Sequence, residues 1–566
     1  MQHNGNGHRP AGPEVIVVGA GHNGLTAACY LARAGLDVLV VEASPTVGGM
    51  TSTNALLPEA PEHLFNEGAI HATGVFRASP IAGDLQLRRY GLRELIVDPV
   101  HVQLGPDGES IAYWRDRRRT IADIRRLSPR DARAWEELSE MLDAALGILL
   151  PYMNSHPTRP LSRELLRGLA RVARRRALIE PLLRLGVAPH AEYIDEHFEH
   201  PLTRGILATA AAFLRMTLDA TAWPLIYMGL LQNVHSAMFE GGTGALPASL
   251  QRCLEAHGGR VRTSAPVEEF VMRAGRVAGV RLVGGEELLA SEAVVTTCNP
   301  KVTLTQLLPE GQLTRAMRKR AEGIPTALAK ATSLKINLAL GGRLSLGRHE
   351  RERGDGLDLR RPLIGWHTLE QHVAGWEAVS RDDWPDPVPL GCCTIPSATD
   401  PTQAPEGQDT FWLWSGVLPV HPREPWEQAR ERVTKQVLDD AALYYEGLDR
   451  LEIGRSVLGG PDLEARFNAP DGNVYHVDPL LMRFGPLRPA MGFGTYRTPV
   501  PGLYLSGAGT HPTGGLCGLP GKFAAETVLR EGRSGGRSPL RRLVRSSSDG
   551  ASANGSAARP QEPVAR

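Results

Sequence analysis

An α/β architecture is what this sequence predicts: one domain with a parallel, βαβ-type sheet gathered from separated stretches of chain, and a second, mixed-sheet α+β domain. Three observations carry that expectation. A short apolar run, Val15–Val18, passes through glycines into a helix-forming stretch and a second apolar run, Val38–Val41. A glycine-rich strand-and-helix pattern stands near the other end, at Gly502–Lys522. Between them lie alternating stretches, of which Ser333–Leu340 is the clearest. A chain of 566 residues is also too long for one core, so two or more domains are expected.

Val15–Val18 is continuously apolar, as a parallel strand buried on both faces requires. Gly19, Gly21 and Gly24 then spell G-x-G-x-x-G. The first glycine permits a tight turn, the second lets backbone approach a pyrophosphate, and the third allows close helix–strand contact. Leu25–Ala34 has helical composition and Gly35 suits a left-handed cap. Glu42, directly after the second strand and 18 residues past Gly24, stands where such a unit hydrogen-bonds a ribose diol. A 2′-phosphate would be repelled there, which disfavours NADP. With 61 glycines in 566 residues, three at this spacing arise by chance roughly 0.7 times per chain. The flanking strands, the helix and the terminal acid therefore carry the specificity.

A second glycine pair, Gly48–Gly49, follows six residues after Glu42 and provides further close-approaching backbone, as the longer FAD needs. In the C-terminal pattern, Leu503–Leu505 reads as a strand ending at Gly507 and Gly509, and Gly514, Gly515 and Gly518 lead into a helix to about Val528. The free N–H groups and positive end of that helix suit a flavin edge that becomes anionic on reduction. A third segment, Gly258–Pro300, holds strands and ends in the apolar run Ala293–Thr297, with Val267 placed to lay a backbone edge against adenine. The expected organisation is a Rossmann-like, glutathione-reductase-type FAD-binding domain from 14–80, 235–300 and 490–530. A substrate domain is expected from 81–234 and 301–489, between a disordered N-terminus at 1–13 and a disordered tail at 531–566. The expected cofactor contacts are Gly19, Gly21, Asn23, Gly24, Glu42, Ala43, Gly48, Gly49, Met50, Val267, Gly507, Gly509, Gly515, Leu516 and Gly518.

Four motifs make the chain resemble the phytoene-desaturase-like branch of the FAD-dependent amine oxidase and desaturase superfamily, near the pyridine nucleotide-disulfide oxidoreductase-domain proteins. They are VVGAGHNGLTAACYLARAGLDVLVVE, GGTGALP at Gly241–Pro247, PSATDPTQAPEGQDT at Pro396–Thr410 and YRTPVPGLYLSGAGTHPTGG at Tyr496–Gly515. Met50 stands where amine oxidases usually have arginine after the glycine pair, and Ala508 where many flavoproteins have an acid. Both departures tilt toward the desaturase branch. The resemblance implies hydride transfer from a largely apolar small molecule to flavin N5 with formation of C=C, and reoxidation by oxygen or a quinone. Oxidation of a C–N bond by a flavin amine oxidase is the alternative. A non-catalytic carrier of the Rab GDP-dissociation-inhibitor kind is a third, against which the intact Gly21, Glu42 and Gly515 speak.

If C–H cleavage needs a base, His511 in the flavin-adjacent motif, as a base or a flavin hydrogen-bond partner, and His71 in NEGAIHATG are the candidates, with His235 and Tyr496 behind them. Many desaturases of this type rely on the flavin with little side-chain catalysis. The net charge of +1 gives no argument for nucleic acid, and the six cysteines show neither C-x-x-C nor metal-ligand spacing. Cys517 reads as a packing residue or a flavin thioether. No apolar run approaches the ~20 residues of a membrane helix. The N-terminus lacks an apolar signal core, so a cytoplasmic location is expected.

The substrate half is read more coarsely. In Ser333–Leu340 the residues Leu334, Ile336, Leu338 and Leu340 share one face; Phe411–Val420 reads as a strand and Pro425–Tyr445 as a helix. A mixed sheet with helices over one side follows. Leu161–Val187 is amphipathic, with seven arginines, two glutamates and an apolar stripe of Leu161, Leu165, Leu169 and Val172. It reads as a membrane-surface helix, a solvated face or a homodimer contact. Gly205–Phe239 is apolar enough to line a tunnel or to be plain core.

Overall fold

The structure, a computed structural model, describes residues 12–72, 74–234, 236–480 and 483–534. Five parallel strands form the first sheet, in the order Leu503–Leu505, Ala293–Thr296, Val15–Val18, Val38–Val41, Arg260–Arg262. It draws on all three stretches singled out above. Val15, Ile16 and Val17 are completely buried because both faces are covered. On one side lie the helices His22–Arg33, Ala245–Ala256 and Leu519–Ser534. On the other lies a three-stranded antiparallel sheet, Val267–Arg273, Arg276–Leu282 and Glu287–Leu289. Each such apolar side chain taken from water contributes about 1.5–3 kcal/mol.

The first helix starts at His22, three residues before the expected start, since the turn closes directly on Gly21. It stops at Gly35, whose φ of +92° ends the helical register as expected. The last helix runs on to Ser534, into the tail expected from 531. The rest of that tail, residues 1–11 of the expected N-terminal tail, and His235 lie outside the described residues.

The second domain is built on a seven-stranded mixed sheet, ordered Glu452–Leu458, Ala331–Leu340, Asp409–Pro419, Cys392–Thr394, Leu363–Gly365, His101–Leu104, Ser110–Tyr113. Leu334, Ile336, Leu338 and Leu340 do share one face, packed under the helix Trp426–Ala442. Helices cover more than the one side expected. Pro201–Leu214 crosses the other face, where Gly416 brings the strand within reach of the Ala212 carbonyl. Ala331–Leu340 is buried along its whole length, since Phe65 packs with Ala339 and Gly460 against Thr332, and its polar positions face inward instead of toward solvent.

The arginine-rich stretch folds as two helices, Arg163–Arg174 and Ile179–Val187. Of the leucine stripe, Leu165 is buried, and the closest inward contact is made by Gly168. Gly168 approaches Gly147 so closely that an added Cβ would lie 2.1 Å from the Gly147 carbonyl oxygen. Leu165 and Gly168 are buried, while Leu161 and Val187 are 73% and 74% exposed, and Leu166, Leu169 and Leu183 also face solvent. No helix among the described residues is long and apolar enough to cross a membrane.

Candidate active site

The glycine turn after Val15–Val18 opens a groove. Gly21 bridges in parallel fashion to Gly48, and the Gly48 N–H donates to the Ala20 carbonyl at 3.0 Å, so both glycine pairs are pinned side by side. The first helix has no side-chain N-cap, and its first-turn amides, which have no partners within the helix, stay available to an anion. Glu42 is oriented by its own neighbourhood: Oε2 accepts from the Ala20 N–H at 2.7 Å and Oε1 from the Ser44 N–H at 2.9 Å.

This groove continues into a cavity, together about 580 Å³, that reaches the seven-stranded sheet. Gly19, Gly21, Asn23, Glu42, Ala43, Gly48, Gly49, Met50, Val267, Gly507, Gly515 and Leu516 all line it. Three expected contacts do not. Gly24 sits behind the turn, where a Cβ would meet the Gly19 carbonyl oxygen at 2.0 Å. Gly509 packs on Pro300, and Gly518 on Ile81 and Thr26. Gly24 and Gly509 are glycines for packing, and Gly518 for its left-handed backbone at φ +74°. Cys517 is likewise buried in the core beneath the motif.

His511 is corrected more sharply. Its Nδ1 accepts the Gly485 N–H at 3.1 Å and its Nε2 donates to the Ser155 carbonyl at 3.1 Å, while Tyr152 and Phe523 pack on the ring. Both nitrogens are taken by backbone and the ring does not line the cavity, so it has no free lone pair for a substrate proton. Tyr496, buried beside it, donates its hydroxyl to the His511 carbonyl. His71, in contrast, lines the cavity. Its Nδ1 is 2.8 Å from Ser236 Oγ, its Nε2 is unpartnered, and burial holds its pKa down to about 4.

Several residues escape sequence reasoning. The far half of the cavity is walled by Phe213, Tyr227, Trp412, Trp414, Tyr475 and Phe484. Phe213 stacks on Trp414 at 5.5 Å, and Tyr475 donates its hydroxyl to the Phe213 carbonyl. Lys335, 2% exposed, points its Nζ over the Trp412 ring at 3.8 Å with no hydrogen-bond partner. Desolvation drives its pKa well below the usual lysine value. Trp412 favours the ammonium through its π face, but one ring does not replace a lost hydration shell. Under the groove, Arg488 is 0% exposed and donates to five backbone carbonyls: Tyr475, Val477 and Asp478 on one side, Ala508 and Thr510 on the other.

Whether this site suits a dinucleotide can be read from its unpartnered atoms. Buried polar groups in folded proteins are nearly always paired. Here Asn23 Oδ1, His71 Nε2, Lys335 Nζ, Trp412 Nε1 and His476 Nδ1 are all buried, unpartnered and on residues that line this one cavity. With the glycine cradle and the groove-lining Glu42 carboxylate, they match a long ligand that is polar at one end and flat at the other.

Comparisons with known proteins agree. Residues 24–354 match the family described as flavin containing amine oxidoreductase. The chain is 30% identical to the rat pyridine nucleotide-disulfide oxidoreductase domain-containing protein 2, over 92% of this chain and 93% of that protein. It is 25% identical to the neurosporene-forming phytoene desaturase of Cereibacter sphaeroides, over 91% of this chain and 93% of that one. Among solved structures, cyclohexylamine oxidase from Brevibacterium oxydans shares the fold with a TM-score of 0.55 at 16% identity, covering 92% of this chain and 99% of that one.

Proposed function

Because this chain belongs to the flavin containing amine oxidoreductase family, with FAD as its cofactor, we propose that it is a dehydrogenase that introduces C=C into a largely apolar substrate. The observation that carries this reading is the composition of the far cavity half. Its walls are aromatic and aliphatic, with Ile70, Val75, Leu149 and Leu230 beside the rings. The carboxylate nearest that half, Glu67, is already engaged by Arg466, Ser52 and Asn54. An ammonium substrate would find Lys335 and no free carboxylate, whereas a hydrocarbon finds apolar surface.

Forming the double bond removes a hydride from one carbon and a proton from its neighbour; FAD, when bound, is the hydride acceptor. The proton goes to Lys335 Nζ in this proposal. Burial lowers the amine's affinity for a proton well below that of an exposed lysine, and it has no hydrogen-bond partner. His71, neutral and fixed by Ser236, orients the same wall. The aromatic cage holds the donor carbon and excludes water.

Anaerobic mixing of the FAD-loaded protein with polyenes and cyclic hydrocarbons, and separately with primary and secondary amines, tests the reading. Bleaching of the oxidised flavin by the hydrocarbons is expected. Bleaching by amines alone would replace the proposal with the C–N alternative.

We also propose that substrate is collected from an anionic lipid surface through 161–187. In support, the exposed leucines there sit among seven arginines and two glutamates, and the helix beneath carries the cavity-lining Leu149 and Met153. Wild-type protein is expected to sediment with phosphatidylglycerol vesicles and the Leu166→Glu/Leu169→Glu variant to stay in the supernatant. Equal sedimentation of both, or a shift in oligomeric state alone, would refute the lipid reading.

A further inference from the structure

We infer that Arg466, on the helix Gly460–Phe467 of the second domain, is a cofactor-binding residue that brings a guanidinium to the pyrophosphate-bearing half of FAD from across the groove. The inference rests on FAD being the cofactor and adds which side chain supplies the countercharge.

A pyrophosphate diester brings two negative charges into a groove already holding the carboxylates Glu42 and Glu67. Backbone amides and the first helix's positive end meet part of that charge. The first cofactor segment adds no cation, since the groove-lining positions after Glu42 hold Ala43 and Ser44 and the one after the glycine pair holds Met50. Among the described residues lining the cavity, lysine and arginine occur at 335 and 466 alone. Lys335 belongs to the far half, over Trp412. The pyrophosphate half is left with Arg466.

The local geometry fits that task. Arg466 Nε and Nη2 each donate to Glu67 at 3.1 Å, and Nη1 donates to Ser44 Oγ at 3.2 Å. Glu67, 3% exposed, is fixed in turn by Ser52 at 2.9 Å and Asn54 at 2.6 Å. The fork is thus oriented before any ligand arrives. Three of its five N–H donors are engaged, which leaves two on the terminal nitrogens for phosphate oxygens. Leu463 and Phe467 on the same helix also line the groove, so this helix forms its outer wall.

The test uses full-length protein stripped of FAD and titrated with FAD, ADP and adenosine, followed by calorimetry. Arg466→Met is expected to raise the dissociation constants of FAD and ADP by roughly tenfold or more, to weaken their salt dependence, and to leave adenosine unchanged. Arg466→Lys should recover part of the loss. Glu67→Gln separates the remaining explanation. If Arg466 merely props Glu67, this variant loses FAD and ADP as Arg466→Met does, and the inference is overturned. If Arg466 binds phosphate, Glu67→Gln holds or tightens both. ADP binding to Arg466→Met at wild-type strength also overturns it. Wild-type protein that takes up no FAD at all would remove the cofactor assignment itself, a result distinct from these.

Discussion

Replacing Gly21 by valine gives a folded protein that purifies colourless. Gly21 has φ −66° and ψ 166°, a backbone conformation open to any residue. A Cβ built there meets nothing closer than the Gly48 carbonyl oxygen at 3.9 Å, so the protein itself tolerates the side chain. The space it enters is the groove between the two glycine pairs. Branched methyls there exclude a pyrophosphate from the first-turn amides, and a loss of at least two orders of magnitude in FAD affinity, about 2.7 kcal/mol, is expected. Gly24→Val makes the contrast. Its Cβ falls 2.0 Å from the Gly19 carbonyl oxygen and 3.3 Å from Thr297 Cγ2, so the first helix cannot dock and the protein melts early or fails to fold. The pair is read by flavin absorbance per protein and by thermal unfolding. Gly21→Val purified with a full complement of FAD would sink the assignment of this groove.

Lys335→Met separates chemistry from cofactor binding. Methionine nearly conserves the volume while removing the amine, so FAD should be retained and the aromatic wall left in place. The rate of flavin reduction by substrate should fall by about 10²–10⁴-fold, the usual worth of a positioned general base. In the wild type that rate should rise with pH as the buried amine loses its proton, with the midpoint well below the usual lysine range. The variant should lose this pH step. Stability gives an independent check. The folded state binds a proton at this site less readily than the unfolded state, so the amine's burden vanishes above the unfolded lysine pKa and grows as pH falls toward the depressed folded value. Lys335→Met should therefore raise the melting temperature near neutral pH, with the gain shrinking in alkali. An unchanged reduction rate, or a melting temperature that drops, would exclude the base.

The cofactor half was legible because its constraints are local. Glycines at fixed offsets, a carboxylate at the end of a strand and buried apolar runs are each dictated by neighbours within a few tens of residues. The far half obeys no such spacing. Lys335 sits in a strictly alternating strand, and segments distant in sequence, such as Phe65 packed with Ala339 and Gly460 against Thr332, turn its polar face inward. Arg466 reaches Glu67 across 399 residues of sequence, a pairing that no local pattern announces. His511 misled for the reverse reason. Its motif passes close to the groove, but the ring turns to cap the Gly485 and Ser155 backbone groups instead. Composition gives no hint of the aromatic wall. At 5% of the chain, Phe, Trp and Tyr are few, yet they gather at the cavity.

Arg488 has a consequence for how such a cavity diversifies. All five of its acceptors are main-chain oxygens, which every amino acid carries, so the hydrogen bonds to Tyr475, Val477, Ala508 and Thr510 are blind to the side chains there, while the Asp478 carboxylate also supplies the buried guanidinium with countercharge. Tyr475 and Ala508, the two of them that line the cavity, can be exchanged for others that suit a different guest without loosening this rivet. The rivet itself cannot: a lysine's compact ammonium has three donors and cannot span carbonyls approaching a flat fork from two segments. The wall can be re-papered while the stud behind it stays.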